Sequence, residues 1–172
     1  MKKLFLSLIL AICSLNVFAQ TTYDLVPERK AMTFESSSLD GVQWRLRSAS
    51  ENPLYFINEH VFLNLNSKVA LVFNYSHQRT FGSATKFHAN IYELGFSTFR
   101  KRSSFFEVVS GLTAGAGWQK KDGVSTCKFT ATFFGEDRVY VSKDRYLILG
   151  ASISAFGKTF SGGLSVGFGA RL

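Results

Sequence analysis

The sequence predicts an all-β chain closed into an eight-stranded antiparallel transmembrane β-barrel, and three observations carry that prediction. Apolar residues alternate with small or polar ones at period two along most of the chain. Several alternating runs reach 12 or more residues, beyond the roughly 5–6 usual in globular sheets. The polar faces are built from Gly, Ser and Thr with single charges, which suits a crowded lumen better than an open solvated surface. Composition agrees: 172 residues with 46% hydrophobic, 15% aromatic, 14 Gly and only 2 Pro exclude a disordered tail, a collagen and a coiled coil.

The chain opens on an address rather than on a fold. Lys2 and Lys3 precede an apolar run from Leu4 to Leu15, then Val17, Phe18 and Ala19, which reads as a secretory signal peptide over 1–19 cleaved before Gln20. The run is too short to span a membrane as a helix. Cys13 does not mark a lipoprotein, because the residue before it is the bulky Ile12. Without Lys2 and Lys3 the exported part keeps 18 basic against 12 acidic groups, hence a charge of +6, and Cys127 is its single cysteine. An internal disulfide and a tetrathiolate zinc site are therefore excluded.

Residues 20–40, with Pro27 and no clean alternation, are expected to form a periplasmic lead-in, with an extra strand over 31–37 as the alternative. The barrel proper is expected over 41–172. Its strands are read from Val42, Trp44 and Leu46 opposite Gln43, Arg45 and Arg47; a weak run near 54–65; and Val69, Leu71, Phe73 and Tyr75 opposite Asn74 and Ser76. Then come Tyr92, Leu94 and Phe96 opposite Glu93, Gly95 and Ser97; the long run from Phe106 to Gln119; a weak run near 126–141; Leu147 to Ala155; and Leu164 to Leu172. Turn-rich connections separate them at 48–53, 64–68, 78–86, 100–104, 120–126, 142–145 and 157–162. Short connections make the neighbours antiparallel, and an even count leaves both ends of the chain on one side.

Alternation alone does not say which face is buried. Aromatics gather where a membrane interface would lie, with Phe96, Phe99, Phe105 and Phe106 at one end and Trp118 at the other. Twelve steps of about 3.4 Å on a strand tilted by about 40° span roughly 30 Å, close to the apolar band of such a barrel with its girdles. Closure follows, since an unpaired strand edge in hydrocarbon leaves amides without partners. A soluble β-sandwich binding an apolar ligand would show the same periodicity with the faces reversed.

The ending Ser165-Val166-Gly167-Phe168-Gly169-Ala170-Arg171-Leu172 is the most specific stretch. On it, and on the architecture of 41–172, the chain resembles the small eight-stranded outer-membrane barrel proteins of Gram-negative bacteria, of the OmpA/OmpX-like kind. The resemblance implies a bacterial outer-membrane location and a terminal strand read by the barrel-assembly machinery. The last position departs from the family pattern, with Leu172 where Phe is usual.

With apolar faces outward, Arg45, Arg47, Glu93, Glu107, Lys128 and Arg171 point into the lumen, where pairing into a charge network that plugs the barrel is expected. Arg79, Lys86, Lys120, Lys121 and Lys158 fall in outward loops and are expected to contact lipopolysaccharide phosphates. Arg100, Lys101 and Arg102 read as solubilising charges in an opposite turn. A lipid A acyl hydrolase or transferase would draw on His60, His77 or His88 with Ser76, Ser83 or Glu93. The His-x-Ser element of the deacylases is missing, however, and Ser76 and His77, being adjacent, face opposite sides. Each histidine is more simply a rim or loop residue. No phosphate-cradling loop and no metal-ligand spacing is present, so the reading is a structural or surface-interaction protein with no cofactor, no nucleic-acid partner and no catalysis.

Overall fold

The computed structural model describes residues 24–26, 28–45, 53–80, 87–121 and 123–172; the signal-peptide segment lies outside them. Eight strands follow one another: β1 (Phe34–Arg45), β2 (Leu54–Asn64), β3 (Val69–Thr80), β4 (Phe87–Lys101), β5 (Phe106–Lys121), β6 (Val124–Tyr140), β7 (Arg145–Phe156) and β8 (Thr159–Arg171). Each pairs antiparallel with its neighbours and β8 pairs with β1, so the sheet is a closed barrel with no free edge.

The tilt of the strands is written in the register. From Phe34 the pairing passes to Leu63, Leu71, Phe96, Leu112, Phe133, Ile153 and Gly162, and then returns to β1 at Trp44, ten residues beyond its start. A stagger of this size over eight strands corresponds to a tilt of about 40° and an interior that side chains can fill. Apart from Gly162, that row is an apolar ribbon wound around the outside, with Phe96, Leu112, Phe133 and Ile153 all more than half exposed. Leu147, Leu149, Val166 and Phe168 are likewise exposed, while Glu107 is 1% exposed on the opposite face. Among the described residues the oily side chains meet no second layer of protein. The soluble sandwich is excluded, and the barrel has the inside-out polarity of a membrane-spanning one.

The strands are longer at their loop-side ends than the turn chemistry suggests. The expected loop over 120–126 shrinks to the residues between Lys121 and Val124, and that over 157–162 to Gly157 and Lys158. Gly123 and Gly157 sit at φ +86° and +59°, the left-handed region that tight hairpins use and that only Gly enters freely. At the other end of the barrel the connections 65–68, 102–105 and 141–144 are all short, and in the first the Asn66 side chain accepts from the amides of Lys68 and Val69 at 2.8 and 2.9 Å. This end also carries the start of β1 and the end of β8, as an even strand number requires, and it is the end labelled periplasmic below.

The lead-in expected over 20–40 ends earlier than its alternation suggests. β1 begins at Phe34, so 34–40 belong to the barrel, and the residues that suggested a ninth strand at 31–37 are partly the start of β1; the count stays at eight. Before Phe34 the chain folds across the periplasmic mouth: the amides of Leu25 and Val26 both donate to Ser104 O, Asp24 pairs with Lys101, and Val26 is buried with Leu39, Tyr140, Tyr146 and Ile148. This strap delivers Arg29 into the lumen.

Inside, glycines make room for large rings. A Cβ added at Gly111 would stand 2.2 Å from Phe134 Cζ, and one at Gly169 2.2 Å from a ring carbon of Tyr146. The barrel is thus filled partly by aromatic side chains lying over bare backbone of the neighbouring strand, Phe134 over its register partner Gly111 and Tyr146 over Gly169.

Candidate functional site

The periplasmic half of the lumen holds a closed network of three arginines and three glutamates. Arg29 from the strap grips Glu107 of β5 through both terminal nitrogens, and its Nε lies 2.8 Å from Glu35 of β1. Arg138 of β6 joins Glu35 at 2.9 Å to Glu136 at 2.7 Å, and Arg171 of β8 reaches Glu35 at 3.1 Å. His60 Nδ1 lies 2.6 Å from the other oxygen of Glu136, and Tyr140 donates its hydroxyl to Glu107 at 3.2 Å. The rings of Phe62, Phe99 and Tyr146 surround the Arg138 guanidinium at 4.6 to 5.5 Å. Burial works against the charge of Arg29, yet its bond to Glu107 and the nearby Glu35 raise its pKa above the ordinary guanidinium value, so it stays a cation.

The loop-side half is built differently. Glu93 of β4 is 2% exposed and accepts from Asn74 Nδ2 at 2.8 Å, Thr113 Oγ1 at 2.6 Å and Thr132 Oγ1 at 3.1 Å. No cationic side chain lies within ion-pair distance of it among the described residues. Around and above it stand Asn58, Ser76, Gln78, Ser152 and Ser154, with Gln43 bonded to Ser161, lining a small, partly open cavity of about 10 Å³.

Of the six charges expected in a lumen network, Glu107 and Arg171 lie in the ion cluster. Glu93 is buried in the lumen but bound by neutral donors, because β4 places it above the arginines. Arg45 and Lys128 lie at the loop-side mouth, with their charged ends 5.5 and 5.7 Å from the rings of Phe87 and Phe156, and Arg47 is outside the described residues. Arg29, Glu35, Glu136 and Arg138 were not singled out by their sequence, and His60 was named there only as a possible acyl-transfer group. His60, taken above for a rim or loop residue, is 2% exposed in mid-lumen. Glu136 and Arg138 had a readable signal, two charges at i and i+2 in an alternating run. Arg29 had none, since it reaches the lumen from an irregular segment.

On the outer wall near the loop end, Arg79 pairs in register with His88 and His88 with Lys120, making one outward basic row across β3, β4 and β5. Below it, His77 Nδ1 lies 2.8 Å from Asn90 Oδ1, Tyr75 stacks on Tyr92 at 5.2 Å, and Tyr92 meets Trp118 edge-on at 5.9 Å. Lys121 falls on the lumen side of β5, Lys158 is exposed in the β7–β8 turn, and Lys86 and Ser83 are outside the described residues. Ser76 points inward, on the same side as His60 and Glu93, while His77 and His88 point outward, so the adjacent Ser76 and His77 lie on opposite sides of the wall. Among the described residues no group of three His, Cys, Asp or Glu is placed to hold a metal. Two acids also face outward at mid-strand: Asp40 of β1, which accepts from Tyr55 at 2.7 Å, and Glu59 of β2.

No protein-family model matches the chain, and no curated protein does. Solved structures share its fold. The attachment invasion locus protein Ail of Yersinia pestis superposes with a TM-score of 0.58 at 15% identity, covering 81% of this chain and 99% of that one. Neisserial surface protein A does so with a TM-score of 0.63 at 12% identity, covering 81% and 96%. The N-terminal β-barrel domain of Pseudomonas aeruginosa OprF gives 0.51 at 12% identity, covering 82% and 99%. At these identities the likeness is one of architecture: the chain has the fold of the small eight-stranded outer-membrane barrels.

Proposed function

We propose that this chain is a bacterial outer-membrane barrel, exported by its first 19 residues, that serves as a structural and surface-interaction element of the envelope and does no catalysis. The observation that carries the reading is the ion network in the periplasmic half. Three arginines and three glutamates from the strap and from β1, β5, β6 and β8 cross the lumen where a conducting pore would need water. A barrel so filled offers its two ends and its outer wall for interaction, and no channel. In planar bilayers the purified protein is expected to give no discrete conductance steps; stable steps from the wild type would overturn the plugged reading.

For surface interaction the loop-side wall supplies the chemistry. Arg79, His88 and Lys120 form a basic row above a belt of Tyr75, Tyr92 and Trp118, which matches the phosphates and upper acyl chains of lipopolysaccharide in the outer leaflet. Ail of Yersinia pestis, whose barrel has this fold, has been solved in complex with the heparin analogue sucrose octasulfate, which supports the reading. The double variant Arg79→Ala with Lys120→Ala is expected to carry several-fold less co-purifying lipopolysaccharide at unchanged folding. Equal amounts would remove the row from the proposal. The terminal strand β8, which closes the barrel against β1, is the segment offered to the assembly machinery.

A further inference from the structure

We propose that the loop-side half of the lumen binds a dehydrated alkali-metal cation, sodium or potassium, between β2 and β3 and beside Glu93. The charges in the periplasmic network match one for one, Arg29, Arg138 and Arg171 against Glu35, Glu107 and Glu136. Among the described residues Glu93 is the remaining carboxylate buried in the lumen, and its three partners are neutral. Two of those partners, Asn74 and Thr132, also line the 10 Å³ cavity, so the carboxylate lies one side chain behind its wall.

The second observation is independent of that charge. Asn58 Oδ1, Asn74 Oδ1 and Ser76 Oγ are buried and find no hydrogen-bond partner among the described residues, and all three residues line this same cavity. Asn58 and Ser76 are register partners on adjacent strands, and Asn74 is two residues from Ser76 on the same inward face. The orientation of the Asn74 amide is fixed by chemistry: Nδ2 donates to Glu93, and turning the group over would set oxygen against carboxylate. Its oxygen is thereby committed as an acceptor.

An occupant must therefore satisfy amide and hydroxyl oxygens from several directions and bring positive charge near Glu93. A water molecule has two protons to give and no charge. An all-oxygen donor set suits hard cations, and a single carboxylate, acting from behind the first ring of oxygens, suits one charge rather than two. The cavity has room for one water-sized body, so the ion would enter without its hydration shell.

The test uses the full-length folded barrel in detergent, comparing sodium, potassium and choline chlorides at equal ionic strength. The readouts are the temperature at which the compact, fast-migrating form is lost and the ²³Na NMR linewidth. Sodium or potassium is expected to raise the midpoint over choline saturably, by roughly 5 °C or more at a hundredfold excess over Kd. The ²³Na signal should broaden, and potassium should reverse the broadening. Glu93→Gln should abolish both effects. Should that variant fail to fold, Ser76→Ala, which removes one oxygen and leaves the bonds to Glu93 in place, should weaken the cation response at least several-fold. Equal midpoints in all three salts, or a response that survives both variants, would overturn the site and leave water as the occupant. Because an ion held here requires no conductance, this result is read separately from that in planar bilayers.

Discussion

The two halves of the lumen bury polar groups in opposite ways. On the periplasmic side charges are stacked against charges, with Arg138 fully buried between Glu35 and Glu136 and walled by rings. On the loop side a single carboxylate is held by an amide and two hydroxyls, and unpaired oxygens surround a small cavity. The same barrel geometry serves both. The difference lies in the side chains that the strands turn inward at each height, with Arg138, Arg171 and three glutamates in the periplasmic half, to which the strap adds Arg29. A buried ion network tolerates no missing member, whereas a neutral cradle can lose one donor and keep the rest.

The largest effect should come from breaking the charged half. Arg138→Met keeps the bulk of the side chain but, among the described residues, leaves Glu136 with His60 and Glu35 with Arg29, Arg171 and the Asn64 amide. Removing one partner of a buried pair strands the other, so the loss is expected at about 3–5 kcal/mol. Urea unfolding of the protein in lipid vesicles measures it. A loss under about 1 kcal/mol would mean that the lumen is wetter than its burial indicates.

In the neutral half the corresponding change is Thr113→Val, which keeps the shape and removes the 2.6 Å hydrogen bond to Glu93. A hydrogen bond to a charged group is worth about 1.5–3 kcal/mol, and the Asn74 and Thr132 bonds remain, so the expected loss lies near the lower end. The same unfolding experiment ranks the two variants. If Thr113→Val proves the more damaging, the contrast between the halves is inverted.

The limits of legibility follow the same division. The barrel was readable because lipid on one side and a tight lumen on the other impose strict alternation, and runs such as Phe106 to Gln119 obey it. Glu107 and Arg171 were readable for the same reason. β1 was misplaced at its start because its first half breaks the rule: Leu39 faces in and Asp40 faces out, so the run from Glu35 to Gly41 has no oily face to detect. That loss also hid Glu35, the carboxylate that all three arginines of the network share. Arg29 was unreadable in principle, since period-two patterning says nothing of a segment that enters the lumen from its mouth. The loop-side strand ends were cut short because Lys120, Ser125 and Thr126 look like loop residues, although a barrel wall that rises beyond the membrane carries polar residues on both faces.

The outer surface repeats the contrast at smaller scale and yields the smallest prediction. At mid-height the wall from β4 to β8 shows Leu94, Leu112, Phe133, Ala151 and Val166. On β1 and β2 the corresponding positions are Ser38, Asp40 and Glu59, where the apolar band should be continuous. An acidic side chain on the lipid face costs less than a basic one, and it has the neutral protonated form available to it. Glu59→Leu completes the apolar ring at its central gap, so the barrel should gain stability, by roughly 1 kcal/mol. Asp40 differs because it already holds the Tyr55 hydroxyl, and its replacement by Leu should gain less. Vesicle unfolding of the two single variants decides the order. A net loss on Glu59→Leu would show that this wall faces something other than lipid, and the polar stripe on β1 and β2 would then be a contact surface within the membrane.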